Sequence, residues 1–122
     1  MKETKMIVID GIEYVPKGTE NVKAESVDGM EYVIVRTYSA GVFAGYLAKR
    51  KGKEVTIRNA RRLWEWHGAA SLSELSQHGV KEPEKCKFPC EMPTLELTET
   101  IEIITPTEKA KNSIDKVPIW TA

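Results

Sequence analysis

Two apolar runs joined by a basic, glycine-containing turn leave this chain little alternative to a β-hairpin. Gly41-Val42-Phe43-Ala44-Gly45-Tyr46-Leu47 is followed, across Lys51-Gly52-Lys53, by Val55-Thr56-Ile57-Arg58-Asn59-Ala60-Arg61-Arg62-Leu63-Trp64-Glu65-Trp66. Extended apolar runs around a short Gly turn are the hairpin signature. In the second arm Val55 and Ile57 alternate and Leu63 stays in phase, but Trp64 and Trp66 do not. A β-bulge near Asn59-Ala60-Arg61 accounts for the slip, and bulges often re-aim side chains at sites. A helix from Ala60, with Leu63, Trp64 and His67 at helical spacing, is the competing reading. The alternation of Trp64-Glu65-Trp66 itself favours the strand.

The remaining elements follow from the same periodicities. Met6–Val15 holds two short β-rich runs around Asp10-Gly11, a strong short hairpin signal, and Pro16-Lys17-Gly18-Thr19 ends that unit. Residues 20–29 read as a loop, and Tyr32–Tyr38 as a strand too apolar to face water. Ser71 has Glu74 three residues on, the capping-box spacing, so a short helix burying Leu72, Leu75 and Val80 ends at Gly79. Residues 81–94 hold Pro83, Pro89 and Pro93 and read as irregular. Leu95–Leu97 and Ile101–Ile104 alternate around Thr98-Glu99-Thr100. Pro106-Thr107-Glu108 starts a last helix over Lys109–Ile114, and Pro118–Trp120 is an extended tail. The sum is one α+β domain over residues 1–122: an antiparallel β-sheet of hairpins with two short helices.

Composition narrows the function classes. Eighteen Lys+Arg against eighteen Asp+Glu leave the chain formally neutral, which argues against a duplex nucleic-acid binder with its broad basic face. A local basic pocket on a neutral protein suits a small anion better. No apolar run approaches the ~20 residues of a membrane span, and Met1–Lys5 lacks a signal-peptide pattern, so a cytoplasmic location is expected. Cys86 and Cys90 have only His67 and His78 to join them, short of a convincing zinc set, so no metal and no cofactor is expected. Idle thiols in a reducing compartment are the simpler reading.

The candidate binding residues are of the type that grips phosphates and stacks on bases. Arg58, Arg61 and Arg62 offer guanidinium forks to phosphate oxygens, with Arg36 a further one, and Asn59 offers an amide to a ribose or base. The same arginines on a solvated face, paired with glutamates, would need no ligand. Phe43 and Tyr46 point to opposite sides of a strand, and Phe43 is taken as the ring nearer the ligand. Trp64 is a candidate base-stacking face, although it and Trp66 serve equally as hydrophobic or subunit contacts. Ser39-Ala40-Gly41 has the small residues that let backbone N–H groups approach an anion, but it also reads as an ordinary turn. Lys109 and Asn112 share one side of a helix whose N-terminus favours phosphate; a plain surface helix is the alternative. Neither histidine sits at a recognisable catalytic spacing from a serine or cysteine nucleophile, and a Cys–His pair is the one catalytic possibility left.

The run Tyr32–Gly45, continued by Arg58–Trp64 and Cys86-Lys87-Phe88-Pro89, resembles the first-described family of phage Thoeris anti-defence sponge proteins. The likeness spans about residues 30–115. It implies a non-enzymatic protein of the host bacterial cytoplasm that sequesters cyclic ADP-ribose isomers without degrading them. It also implies pockets between protomers, a homo-oligomer reaching a hexamer built from dimers, and binding of cyclic di- and trinucleotides at separate sites. The implied ligand asks for Arg36, Arg58 and Arg61 on phosphates, Asn59 on ribose or base, and Phe43 or Trp64 on adenine, with Ser39, Ala40 and Gly41 giving backbone donors and Lys109 a further cation. Rival readings are an enzyme cleaving the same molecule, a single-stranded nucleic-acid binder and a structural phage subunit.

Overall fold

The computed structural model describes the strand backbones Ile7–Ile9 and Ile12–Tyr14 and residues 22–122. The first two strands, β1 (Ile7–Ile9) and β2 (Ile12–Tyr14), pair antiparallel as the sequence predicts; their turn, Asp10-Gly11, and Pro16–Thr19 lie outside the described residues. Then follow β3 (Glu31–Thr37), β4 (Val42–Lys51), β5 (Glu54–Arg62), α1 (Leu72–His78), a 3-10 turn at Pro83–Lys85, β6 (Met92–Leu97), β7 (Thr100–Ile104) and α2 (Glu108–Lys116). Strands β3 to β7 form one antiparallel sheet in the order β6-β5-β4-β3-β7 beside the two helices, the α+β architecture expected. No helix among the described residues is long and apolar enough to cross a membrane.

Alternation along the strands splits the core in two. On the helix-bearing face, Tyr32, Ile34, Ala44, Tyr46 and Leu63 pack with Leu75, Phe88, Ile114 and Val117. On the other face Val33, Val35, Phe43, Val55, Ile57, Ala60 and Leu97 form a second cluster. The sheet curls around that second cluster. Strands β6 and β7 lie on opposite edges yet are joined by only Thr98 and Glu99, and Thr100 N donates to Lys53 O at 3.1 Å across the seam. Tyr38 N donates to Glu99 O at 2.9 Å on the same seam. The sequence reads β6 and β7 as neighbours around a turn; they do not pair with each other.

The bulge in β5 is where the sequence puts it. Ala44 pairs with Arg61 and Tyr46 with Arg58, so one residue of β4 faces two of β5. Asn59 adopts φ 51, a left-handed conformation that asparagine tolerates better than most residues. Gly45 lies opposite because a Cβ there would sit 2.9 Å from Arg58 O and 3.1 Å from Ala60 Cα. The strand stops at Arg62, short of the tryptophans, and Glu65 pairs on its own with Lys87. Helix α1 is capped as predicted: Glu74 N donates to Ser71 Oγ at 3.1 Å and Ala70 N to Glu74 Oε1 at 2.6 Å. Strand β6 begins at Met92 inside the stretch read as irregular, and its Pro93 is tolerated because β6 is an edge strand.

Candidate functional site

The residues singled out from sequence fall in three separate parts of the fold. The bulge carries Arg58, Asn59 and Arg61. Arg58 is exposed beside Tyr46 and Thr94, and its side chain makes no hydrogen bond among the described residues. Asn59 is exposed next to it.

Arg61 is a correction. The bulge turns it toward the helices, where it is only 7% exposed. Its Nε donates to Pro89 O at 3.0 Å, Nη1 to Ile114 O at 2.8 Å, and Nη2 to Val117 O at 2.7 Å and Phe88 O at 3.1 Å. Its guanidinium also lies 5.5 Å from the centre of the Phe88 ring. Burial lowers its pKa from the usual guanidinium range, and nearby Glu91, Tyr32 and Asp115 oppose that shift. These donors are spent on the chain's own carbonyls, so Arg61 is a structural clamp and not a free phosphate ligand.

The β3–β4 turn gathers Arg36, Ser39, Ala40, Gly41, Phe43 and Arg62. Phe43 is fully buried in the second core cluster, so it is not itself a ligand-facing ring. Arg36 Nε pairs with Glu102 at 2.8 Å, and Ser39 Oγ donates to Glu99 at 2.6 Å. Ala40 N donates to Thr37 Oγ1 at 3.0 Å, and Gly41 O accepts from Thr37 N and Oγ1. An ordinary turn closed on itself is what these bonds describe, so Ala40 N is no free anion donor. Trp64 is exposed.

Lys109 lies on the third surface. The N-terminus of α2 is not an anion site. Thr107 Oγ1 accepts from Ala110 N at 3.0 Å, and Glu108 N donates to Val22 O at 2.7 Å. Instead Lys109 lines a cleft of about 510 Å³ with Asn112, Ser113 and Lys116 of α2, His78 of α1, and Pro83. This volume lies in the range of small-ligand pockets. Among the described residues, two lysines, an amide, a hydroxyl and an imidazole line it, and no carboxylate does. Two further cavities among the described residues are smaller and mixed in sign: about 150 Å³ with Lys49 and Lys51 against Glu54 and Glu96, and about 230 Å³ with Arg61 against Glu91 and Asp115.

The cleft exists because α1 ends closely against α2. Gly79 caps α1 with φ 79, and a Cβ there would overlap Ser113 Cβ at 2.3 Å. Ser113 Oγ in turn accepts from Val80 N at 2.9 Å. Sequence spacing put Lys109 and Asn112 on one side of α2, and Lys116, seven residues beyond Lys109, continues that side. His78 and Pro83 were missed, because only the packing of α1 brings them there.

The Cys–His pair has structural partners. Cys86 Sγ accepts from the His67 backbone N–H at 3.3 Å, and burial pushes its thiol pKa up, the opposite of an activated nucleophile. The His67 ring bonds Glu65 at 2.8 Å, which holds that carboxyl below its usual pKa. Among the described residues no group of three His, Cys, Asp or Glu side chains is placed to hold a metal.

A family description, Domain of unknown function (DUF6948), matches residues 30–114, from the start of β3 into α2. No curated protein and no solved structure matches the chain.

Proposed function

The chain belongs to the DUF6948 family, and we propose that it sequesters an anionic nucleotide signal of the cyclic ADP-ribose type without degrading it. The observation that carries this reading is the α1–α2 cleft, whose cations Lys109 and Lys116 face no lining carboxylate among the described residues. An anion entering it meets charge-assisted donors without displacing an existing ion pair. Asn112 and His78 add groups that pair with ribose hydroxyls or a base edge. The resemblance to Thoeris anti-defence sponges supports the same reading. It extends it to cyclic di- and trinucleotides, to the host bacterial cytoplasm, and to a homo-oligomer, a hexamer built from dimers. The scatter of Arg58, Trp64 and Lys109 over separate surfaces fits sites shared between copies, since one protomer does not collect them. The buried, proton-holding Cys86 supports binding over covalent catalysis.

Calorimetry with cyclic ADP-ribose tests the cleft. Lys109→Ala with Lys116→Ala is expected to weaken binding at least about tenfold, a loss of roughly 1.4 kcal/mol. Both lysines are exposed, so the fold should hold. Unchanged affinity in the double variant removes the cleft from the site. Sequestration is tested by denaturing the complex and weighing the released ligand: an intact mass supports it, and a cleaved product replaces it with an enzyme.

A further inference from the structure

Away from the cleft, strands β4, β5 and β6 carry a polar face near the β4–β5 turn. Lys49 pairs with Thr56 and Thr56 with Glu96, so the three stand in one row across three strands. Lys51 and Glu54, each two residues nearer the turn, are paired with one another. Residues directly opposite, and residues two apart along a strand, share a face. This face is the outer one, because the alternating Val55, Ile57 and Leu97 fill the second core cluster. The four charged side chains line a cavity of about 150 Å³, with Thr56 and Thr98 as its hydroxyl groups. Among the described residues no ion pair joins these lysines to these glutamates. Two strand spacings, roughly 9 to 10 Å, separate the backbones of Lys49 and Glu96. Opposite charges face one another across a gap.

We infer that this cavity binds a free α-amino acid with a small side chain, held as its zwitterion. The carboxylate lies toward Lys49 and Lys51, and the ammonium toward Glu54 and Glu96. A lone anion would meet the two glutamates and a lone cation the two lysines, and like charges brought together are costly. A molecule with both charges on neighbouring atoms satisfies all four side chains by charge-assisted hydrogen bonds. Size points the same way: the volume is half the about 300 Å³ at which pockets for drug-sized ligands begin, which leaves room for only a few heavy atoms. Val55 and Leu97 also line the cavity but are themselves buried, so they give a long apolar side chain little to cover. Thr100 N donates to Lys53 O at 3.1 Å, which holds the β4–β5 turn against the link carrying Thr98 and fixes that wall before a ligand arrives. The cavity and the α1–α2 cleft share no residue, so this inference stands apart from the cleft reading.

L-Alanine is the probe, followed in two-dimensional NMR spectra of the isotope-labelled full chain. The Thr56 and Thr98 amides are expected to shift together and to saturate on titration. Lys49→Met and Glu96→Gln each remove one sign of charge at an exposed position, and each should weaken binding at least fivefold. Arg50→Ala is the control: Arg50 pairs with Val55 on the opposite face, so its loss should leave binding unchanged. Lys109→Ala with Lys116→Ala should leave it unchanged as well. Glycine betaine keeps both charges but has no N–H to donate, and it should bind at least tenfold more weakly than alanine. No saturating shift at Thr56 and Thr98 overturns the site. Betaine binding as tightly as alanine overturns it too, since that marks a general response to dissolved zwitterions. Acetate or methylammonium binding as tightly as alanine replaces the zwitterion site with one for a single charge.

Discussion

Arg61→Ala is expected to destabilise the fold by about 2 to 6 kcal/mol, the cost of two buried acceptors left without a donor at roughly 1 to 3 kcal/mol each. The guanidinium ties β5 to the carbonyls of Pro89, Phe88, Ile114 and Val117. Phe88 O and Ile114 O keep backbone donors in Trp120 N and Val117 N, whereas Pro89 O and Val117 O lose the arginine that serves them. Arg61→Lys keeps the charge but replaces a planar fork with a single ammonium, and it should recover only part of the loss. Urea unfolding monitored by circular dichroism gives the comparison. A loss under about 1 kcal/mol in Arg61→Ala would mean that the clamp is dispensable. Arg58→Ala, at an exposed position three residues away, serves as the control that should leave stability nearly unchanged.

Gly68→Ala should be the next most damaging single change. Gly68 adopts φ 89, and a Cβ there would lie 2.4 Å from Lys81 N and 2.6 Å from Glu82 N. Both neighbours are backbone, so no side chain can swing aside. The left-handed conformation adds its own strain for any residue with a Cβ. Strained backbone and overpacking each cost about 1 to 3 kcal/mol, giving roughly 2 to 6 kcal/mol together. Lys81 N also donates to Gly68 O at 3.2 Å, a bond that the required shift would break. Thermal unfolding decides it: a midpoint within about 2 °C of the parent would show that the loop relaxes without cost.

Local signals in the sequence were read well because they depend on few residues. The slip of phase after Ile57 located the bulge, and Ser71 with Glu74 located the start of α1, since each device is complete within four residues. The spacing of Lys109 and Asn112 placed them together on α2 for the same reason. What failed was decided by chain far away. Whether an arginine on β5 faces water or carbonyls depends on segments at Phe88 and Ile114–Val117, and nothing near Arg61 in the sequence announces them. Thr98-Glu99 has the length of a hairpin turn, and two-residue links normally join paired strands. Here the curl of the sheet brings its two edges together, so the same length bridges them instead. His78 entered the cleft through helix packing alone.

That curl also settles where recognition can happen. Val33, Val35, Phe43, Ile57 and Ala60 fill the concave side and are closed to solvent. Two residues of chain span only about 7 Å when fully stretched, so Thr98 and Glu99 tether the two edges like a short strap. Among the described residues, a rolled sheet so packed and so fastened leaves no lumen between its walls and no slack with which to make one. A ligand of this sheet would meet its outer face.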